Sequence, residues 1–363
     1  MHRARGCTHT VLFSPLRPFP RRYTAAVGAL ATFTREFRAL DTAWPVPALG
    51  ALIKTLVATA QAADAAAASR QADGAGGGHN SRLNDAGSQL MKCFPATYLS
   101  PVREKKQATL LIVNAAFRVY FRLNTLRLCK NMIASVEKQQ SNVLPFEQYD
   151  AGQRVCYRYY TGRLAIFDED YPKAEADLSY AFAACNAAAA RGSAAAQRNV
   201  RRILRYLVPV KLLRGRLPRA QLLAAAGPEL ALYGDVAGAL RRGDVRALNA
   251  ALEAGLATLV RQGTYLLLEK LRSGVYRQLL KKVHLIQRDR DPGRAFQVHI
   301  SLFQRALAMC GVDLDLDECE CVLANLIYRK YVKGYISHKA RTLVLSKQQP
   351  FPPLQSITFD EQT

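Results

Sequence analysis

The stretch Tyr159–Phe182, YYTGRLAIFDEDYPKAEADLSYAF, carries the pattern that decides the fold. Apolar and small residues recur at helical spacing on both sides of an acidic turn at Asp168–Asp170. The first helix closes on a small residue, Gly162, and Pro172 opens the second helix, where the amide hydrogen that proline lacks has no helical partner. This spacing predicts a helical hairpin of the tetratricopeptide type.

A hairpin of this kind cannot bury its own apolar face, so it predicts stacked neighbours. Downstream, the apolar pattern predicts one helical pair from Arg198–Arg214 with Leu222–Leu223, and another from Asp235–Arg242 with Val245–Leu259. Proline within the first of these helices, at Pro209, is expected to kink or end it. Because the pair lengths differ, we predict a mainly α-helical, irregular solenoid over residues 83–261.

The solenoid begins with two further predicted helices, across residues 110–121 and 126–136, where apolar residues recur at three- and four-residue spacing. Residues 23–82 precede it. Their first part has helical composition, but residues 60–82 are rich in Ala and Gly and offer little side chain to bury, so we predict a linker there. Residues 1–22 are predicted to form a disordered basic arm.

The spacing of apolar residues changes in the C-terminal part of the chain. Three predicted helices and two alternating segments follow in order: Leu266–Leu285, Pro292–Met309, Leu316–Ile327, Gly334–Ser337 and Arg341–Leu345. Acidic residues stand at the positive dipole end of the third helix. Three helices followed by a short hairpin is the plan of a winged helix, which we place at residues 262–347, with a tail over 348–363.

The charge of the chain favours an anionic partner. Lys plus Arg number 51 against 28 acids, giving a formal net charge of +23. Residues 201–300 hold 19 of the basic and 7 of the acidic side chains, whereas residues 301–363 hold 7 of each. This uneven distribution indicates a basic patch, as expected of a protein that meets phosphate-rich partners.

Several other classes are disfavoured. The longest charge-free stretch, Leu178–Ala190, has 13 residues, too short to cross a bilayer, so we expect no membrane insertion. The 8 cysteines are scattered through a long chain, which is atypical of a disulfide scaffold and indicates a reducing compartment, cytosol or nucleus.

No motif argues for an enzyme, a cofactor or a metal. Cys310, Cys319 and Cys321 with His299 or His338 invite a zinc interpretation, but they lack paired CxxC knuckles, and core thiols are the favoured alternative. The glycine run 76–78 has no Gly-Lys-Ser/Thr after it, so it does not predict a phosphate loop. The histidines are unpaired and no nucleophile elbow is present.

Four blocks of sequence resemble one known family: Tyr206–Leu213, Leu323–Tyr328, Val332–His338 and Ser346–Leu354. They closely resemble the PCI-domain-containing protein 2 family, whose relatives are often labelled COP9 signalosome subunit 12-like. The resemblance runs from about Leu110 to Leu354, and residues 1–90 show no convincing match. It implies a PCI domain, in which a helical solenoid leads into a winged helix.

The resemblance also implies a role without catalysis. Family members belong to transcription-and-export complex 2, which links transcribed genes to mRNA export at the nuclear pore. Its implied partners are a large scaffold subunit with its own PCI domain, a small, acidic, disordered subunit, and RNA or DNA on a basic surface that the joined winged helices form. The implied location is the nucleus at the nuclear pore, and also the cytoplasm.

Two groups of cations are candidate binding residues. The nucleic-acid candidates lie on the first and third helices of the predicted winged helix and on its wing: Lys270, Arg272, Arg277, Lys281, Lys282, Arg329, Lys330, Lys333, Lys339 and Arg341. The first five are expected on the exposed circumference of their helix, opposite its apolar positions. Binding is predicted to be electrostatic and tolerant of sequence, and the alternative is an ordinary solvated face.

The second group is predicted to dock the acidic subunit: Arg201, Arg202, Arg205 and Lys211. A solvated arginine-rich helix is the alternative there. For the whole protein, we predict a scaffold and nucleic-acid-binding subunit in mRNA export. The alternative is a structural PCI subunit of a signalosome, a proteasome lid or an initiation-factor-like assembly, without nucleic-acid binding.

Overall fold

The computed structural model of the chain describes residues 19–71, 80–138, 143–227 and 230–356. Most of the predicted basic arm and the glycine run 76–78 lie outside these ranges. Contacts between Cα atoms group the chain into two compact units, divided between Tyr160 and Thr161. We call the described residues up to Tyr160 the N-terminal unit and those from Thr161 the C-terminal unit.

The N-terminal unit is helical throughout its described residues. Its elements are α1 (Phe19–Ala39), α2 (Val46–Gln71), α3 (Ser81–Cys93), α4 (Pro95–Tyr98), a 3₁₀ segment (Arg103–Ala108), α5 (Thr109–Leu123), α6 (Leu126–Lys138), a short 3₁₀ segment (Phe146–Gln148) and the first part of α7 (Ala151–Phe167). Asn124 lies between the two helices predicted across residues 110–121 and 126–136, and it ends α5 in the left-handed region with φ of 57°. Asparagine tolerates that conformation better than most residues.

Helix α2 corrects the predicted linker. It continues to Gln71, and Ala60 and Ala63 are buried inside the unit, so residues 60–71 are helical. Alanine is the best helix former, and a run of it extends a helix that packing has already started. The carboxylate of Asp64 accepts hydrogen bonds from the amides of Arg82 (3.0 Å) and Leu83 (2.9 Å), at the start of α3.

The segment Val46–Ser69 of α2 is, by length and composition, the one described segment long and apolar enough to cross a membrane. Lys54 and Asp64 interrupt this segment, so it contains no charge-free stretch long enough to cross a bilayer. Within the N-terminal unit the apolar residues Leu49, Ile53 and Leu56 of this helix are buried.

A buried lysine fixes the end of α1. The ammonium of Lys105 donates to the carbonyl of Phe37 at 2.7 Å and also to that of Leu40, and Lys105 is almost fully buried. Cations are favourable at the C-terminus of a helix because the last carbonyls lack partners there. The 3₁₀ segment that carries Lys105 is thereby held against α1.

The C-terminal unit begins with the hairpin that the sequence predicted. Helix α7 ends at Phe167 and α8 (Tyr171–Ala190) begins with Pro172 in its first turn. The carboxylate of Asp170 caps α8 by accepting from the amide of Lys173 at 3.0 Å. A Cβ at Gly162 would come within 2.8 Å of Leu178 Cγ, so the close approach of the two helices requires glycine.

The remaining solenoid helices are α9 (Ala194–Leu213), α10 (Ala220–Ala226), α11 (Ala231–Arg242), α12 (Val245–Gln262) and α13 (Tyr265–Glu269). The pairing of α11 with α12 is as predicted. Helix α9, in contrast, packs mainly on α8 rather than on Leu222–Leu223. The helix predicted at Leu266–Leu285 is divided at Lys270, and its longer part is α14 (Leu271–Arg290).

Helix α9 continues through Pro209 to Leu213 instead of ending there. Proline has no amide hydrogen for the carbonyl four residues earlier, which belongs to Arg205. That carbonyl accepts instead from the buried hydroxyl of Tyr233, at 2.8 Å. Burial raises the pKa of Tyr233 to about 12, so the hydroxyl keeps the proton that it donates.

We expect Tyr233→Phe to lower the free energy of unfolding by about 1–3 kcal/mol, because the buried carbonyl of Arg205 loses its donor. Pro209→Ala restores an amide hydrogen at the position that normally serves this carbonyl. The loss caused by Tyr233→Phe should therefore be smaller in the Pro209→Ala background. Urea unfolding of the two single variants and the double variant measures both values, and equal losses in the two backgrounds would contradict the assignment.

The rest of the winged helix follows its first helix, α14, and contains one more strand than predicted. Its elements are a 3₁₀ segment (Pro292–Arg294), β1 (Gln297–His299), α15 (Ile300–Met309), α16 (Leu316–Tyr328), β2 (Gly334–Ser337) and β3 (Thr342–Leu345). The strands form an antiparallel sheet in the order β1-β3-β2. The predicted helix at Pro292–Met309 is thus shorter, because its first part forms β1, a strand of 3 residues.

The core of the winged helix lies between its sheet and its helices. Leu343 and Leu345 of β3 are buried, as are Phe303 of α15 and Leu323 of α16. Tyr335 of β2 lies opposite Val344 in the register and on the other, outer face of the sheet. Because β3 is central, the sheet has β1 and β2 as its edges.

Candidate nucleic-acid interface

The predicted cations on α14 do not form one exposed face. Arg277 is buried, and its guanidinium donates to the carbonyls of Tyr331 (3.2 Å) and Pro352 (2.7 Å) and lies over the ring of Phe351. Burial lowers the pKa of Arg277. The assignment of Arg277 as a nucleic-acid contact is therefore wrong, because its side chain points into the protein.

The tail after the sheet completes this buried cluster. The imidazole of His284 is buried and lies near the rings of Phe296 and Phe351, with centroids 6.0 and 5.7 Å away. The carbonyl of Pro350 accepts from the amide of Lys333 at 2.9 Å. The tail from Pro350 to Pro352 is thus bound to α14 and to the segment between α16 and β2.

Burial lowers the pKa of His284, and the charge of Arg288 lowers it further. In the unfolded chain this histidine takes up a proton as the pH falls through about 6.5, whereas the folded protein resists protonation. Stability is therefore lost as the pH falls through about 6.5 and below, until the folded protein also takes up the proton. In urea unfolding, the difference in unfolding free energy between the native chain and His284→Gln should change across this window and stay constant above it.

Three further candidates, Lys270 at the N-cap of α14 and two within that helix, are used within the C-terminal unit. Lys270 forms an ion pair with Glu169, and Arg272 reaches the side-chain oxygen of Asn249 at 3.5 Å. The ammonium of Lys282 donates to the carbonyl of Arg242 at 2.8 Å, at the end of α11. Lys281 is half-buried.

The wing folds back onto the acidic start of α16. Arg341 forms ion pairs with Asp317 and, at 2.8 Å, with Glu320, and His338 Nδ1 lies 2.9 Å from the carboxylate of Glu320. These carboxylates raise the pKa of Arg341. Arg341, a predicted nucleic-acid candidate, is thus paired with acids, because the turn of the wing brings it beside the start of α16.

Four of the predicted cations remain exposed around the end of α16 and the wing. We call them the wing patch: Arg329, Lys330, Lys333 and Lys339. Arg329, Lys333 and Lys339 form no ion pair with any described residue. Hydrogen bonds from the amides of Lys330 and Tyr331 to the carbonyls of Ile327 and Leu326, both at 2.9 Å, hold the segment that carries three of them.

The sequence interpretation missed two aromatic residues here. Tyr328 is 70% exposed and Tyr335 is 64% exposed, although tyrosine usually buries its ring. Their signal was present in the stretch Tyr328–Tyr335, YRKYVKGY, in which tyrosines alternate with cations. Lys347, just after β3, is a further exposed cation.

The cations of α9 divide in a similar way. Arg201 and Arg202 are exposed and Arg205 is half-buried. Lys211, Arg214 and Arg216 surround the carboxylate of Glu175 at 3.6, 2.6 and 2.7 Å, and that side chain is only 9% exposed. Lys211 therefore shares a carboxylate with two arginines inside the C-terminal unit, while Arg201 and Arg202 are exposed.

The cysteines and histidines do not form a metal centre in the described part of the chain, which contains no group of three or more His, Cys, Asp or Glu residues close enough to hold an ion. Burial and the nearby acids raise the pKa of Cys319 to about 11. This thiol behaves as a core residue.

Comparison with known proteins matches a PCI domain to residues 256–347. The chain is 39% identical over 322 residues to Enhanced ethylene response protein 5 of Arabidopsis thaliana, covering 89% of this chain and 73% of that protein. It is 42% identical over 283 residues to PCI domain-containing protein 2 of Danio rerio, covering 76% and 66%. The chain belongs to the PCI domain-containing protein 2 family.

The similarity is longer than the sequence resemblance indicated. Protein CSN12 homolog of Mycosarcoma maydis is 33% identical over 355 residues, which covers 93% of this chain and 76% of that protein. Such coverage takes in much of residues 1–90, so the expected lack of a match there is wrong. These relatives support a PCI-domain subunit of a protein complex, and the chain spans about two thirds to three quarters of their length.

Proposed function

We propose that this family member is a non-catalytic subunit of a PCI-containing complex that couples transcription to mRNA export, in the nucleus at the nuclear pore, and also in the cytoplasm. In this complex it pairs with a large PCI-containing scaffold subunit and a small acidic subunit, and it holds RNA or DNA. The observation that carries the nucleic-acid role is the wing patch, because its four cations are exposed, whereas Lys270 and Arg341 are paired with acids and Arg277 is buried.

The wing patch supports electrostatic binding. Phosphate contacts by Lys and Arg release condensed counterions, so affinity falls steeply with salt and depends little on sequence. Arg329 and Lys330 also lie at the end of α16, where cations are favourable without any ligand. Lys333 and Lys339 lie beyond that helix end and are not explained by its dipole.

Reversing two charges of the wing patch tests the proposal. Arg329→Glu with Lys333→Glu should weaken binding of the full chain to single-stranded RNA about tenfold or more at physiological salt, and should reduce the slope of log K against log salt by about two. Fluorescence anisotropy over a salt series measures both quantities. These positions are better suited than Lys281 and Lys282, because Lys282 stabilises the end of α11.

A matched control is available on α5, where Arg118 and Arg122 are exposed. Arg118→Glu with Arg122→Glu changes the net charge by the same amount, so it should leave most of the affinity intact. Equal losses from the two pairs would show a diffuse effect of net charge, and the wing-patch assignment would be wrong.

The docking of the acidic subunit is proposed at the exposed arginines of α9. Arg198, Arg201 and Arg202 are exposed and recur at the spacing of one helix face. A disordered acidic chain needs many cations and little shape from its partner. Lys211 differs from these exposed arginines, because its ammonium lies 3.6 Å from the carboxylate of Glu175.

Arg201→Glu with Arg202→Glu should abolish or strongly reduce the yield of a small acidic subunit when the tagged chain is purified from cells, since like charges then face each other. RNA binding by the purified chain should be unchanged. Quantitative mass spectrometry of the purified complex checks the first expectation, and anisotropy checks the second. An undiminished yield of the acidic subunit would exclude this docking site.

A structural role without nucleic acid is the second candidate function, in a signalosome, a proteasome lid or an initiation-factor-like assembly. The relative named Protein CSN12 homolog favours it. Purification with and without nuclease separates the two. The export role requires co-purifying RNA and a large PCI-containing scaffold, whereas the structural role requires signalosome, lid or initiation-factor subunits that survive nuclease.

A further inference from the structure

Two tyrosines of the winged helix expose most of their side chain to solvent. Tyr328 is the last residue of α16 and is 70% exposed; Tyr335 is 64% exposed on an edge strand. The tyrosine between them, Tyr331, is the contrast. It is buried, burial raises its pKa to about 12, and its carbonyl accepts from Arg277.

The backbone that carries both tyrosines is held in place. Helix α16 and strand β2 are in contact, and the segment between them is held by hydrogen bonds to the last turn of α16. Tyr335 lies in register with Val344 and projects from the outer face of the sheet. The tyrosines are thus fixed at the two ends of the short segment that carries Arg329, Lys330 and Lys333.

Exposed aromatic rings beside exposed cations are the combination that binds single strands. Bases stack on the rings, because every base has a π-face, and the cations hold the phosphates. A duplex keeps its bases stacked on each other, so its bases cannot use these rings. The tyrosines therefore favour single strands, whereas the cations alone would bind either form.

The start of α16 argues against the usual duplex mode. In helix-turn-helix proteins the N-terminal residues of the recognition helix enter the major groove. Here Asp315 and Glu318 form a capping box at that position, and Asp317 is 71% exposed. These carboxylates would face the phosphates that line the groove, which is unfavourable.

We propose that the winged helix binds single-stranded nucleic acid, with bases stacked on Tyr328 and Tyr335 and phosphates held by Arg329, Lys330 and Lys333. This inference rests on the proposed nucleic-acid function and adds the form of the ligand and the residues that select it. A protein partner seated on the same tyrosines is the competing occupant, and the cations between the rings favour the nucleic acid.

The test compares a fluorescent single-stranded RNA of about 15 nucleotides, near the upper end of known site sizes, with the same RNA annealed to its complement. We expect the native full chain to bind the single strand more tightly. Tyr328→Ala and Tyr335→Ala should each weaken single-strand binding roughly five- to a hundred-fold, with an unchanged salt slope because no phosphate contact is removed. Tyr328→Phe and Tyr335→Phe should retain affinity, since they keep the stacking ring.

Tyr180→Ala is the matched control, because Tyr180 is an exposed tyrosine on solenoid helix α8. It should leave binding unchanged. Thermal melting of every variant confirms folding, and the Phe variants keep the test valid if an Ala variant melts early.

The proposal and the proposed function fail in different ways. If the native protein binds neither the single-stranded nor the duplex RNA, both the stacking site and the proposed nucleic-acid function are wrong. If the native chain binds RNA but the Ala variants bind the single strand as tightly as it does, the stacking site is wrong and the electrostatic function stands. Duplex binding as tight as single-strand binding, Phe variants as weak as Ala variants, or loss of a protein partner with RNA affinity unchanged would also overturn the stacking site.

Discussion

The hydrogen bonds of Arg277 hold together the parts of the C-terminal unit on which the candidate site depends. Its guanidinium connects α14 to the segment after α16 through Tyr331 and to the tail through Pro352. A buried charge is costly unless its donors are satisfied, and here two carbonyls and the ring of Phe351 replace water. This connection joins both the segment that carries the wing patch and the tail to α14.

The same fold separates cations that stabilise the protein from cations that can act on a partner. Lys105 and Lys282 bind carbonyls at helix ends, Lys270 and Arg341 face acids, and Arg277 is internal. Most of the candidate binding cations that stay exposed lie at the end of α16, on the wing and along α9. Position in the fold, rather than frequency in the sequence, therefore decides which cations can bind.

The helical plan was readable from sequence because its signals are local. Spacing, Gly162 and Pro172 fix the hairpin, and Asn124 marks a helix end through its own backbone preference. What could not be predicted depends on distant contacts. β1 has 3 residues and exists because β3 pairs with it, and Arg277 is buried because the tail returns over α14. Likewise, the hydroxyl that satisfies the carbonyl left by Pro209 comes from another helix.

The count of 51 Lys and Arg side chains overstates the number of cations that a ligand meets. Arg341 faces two carboxylates, so it attracts phosphate weakly, and Glu175 offsets one of the three positive charges that surround it. A surface with few exposed cations can distinguish single-stranded from duplex nucleic acid only through other groups, because both forms carry phosphate charge. On the winged helix the available groups are the exposed tyrosine rings, which attract unpaired bases, and the acids at the start of α16, which repel a groove. Both features favour single strands over a duplex. We therefore expect the wing patch, with few cations of its own, to bind single-stranded nucleic acid more tightly than a duplex.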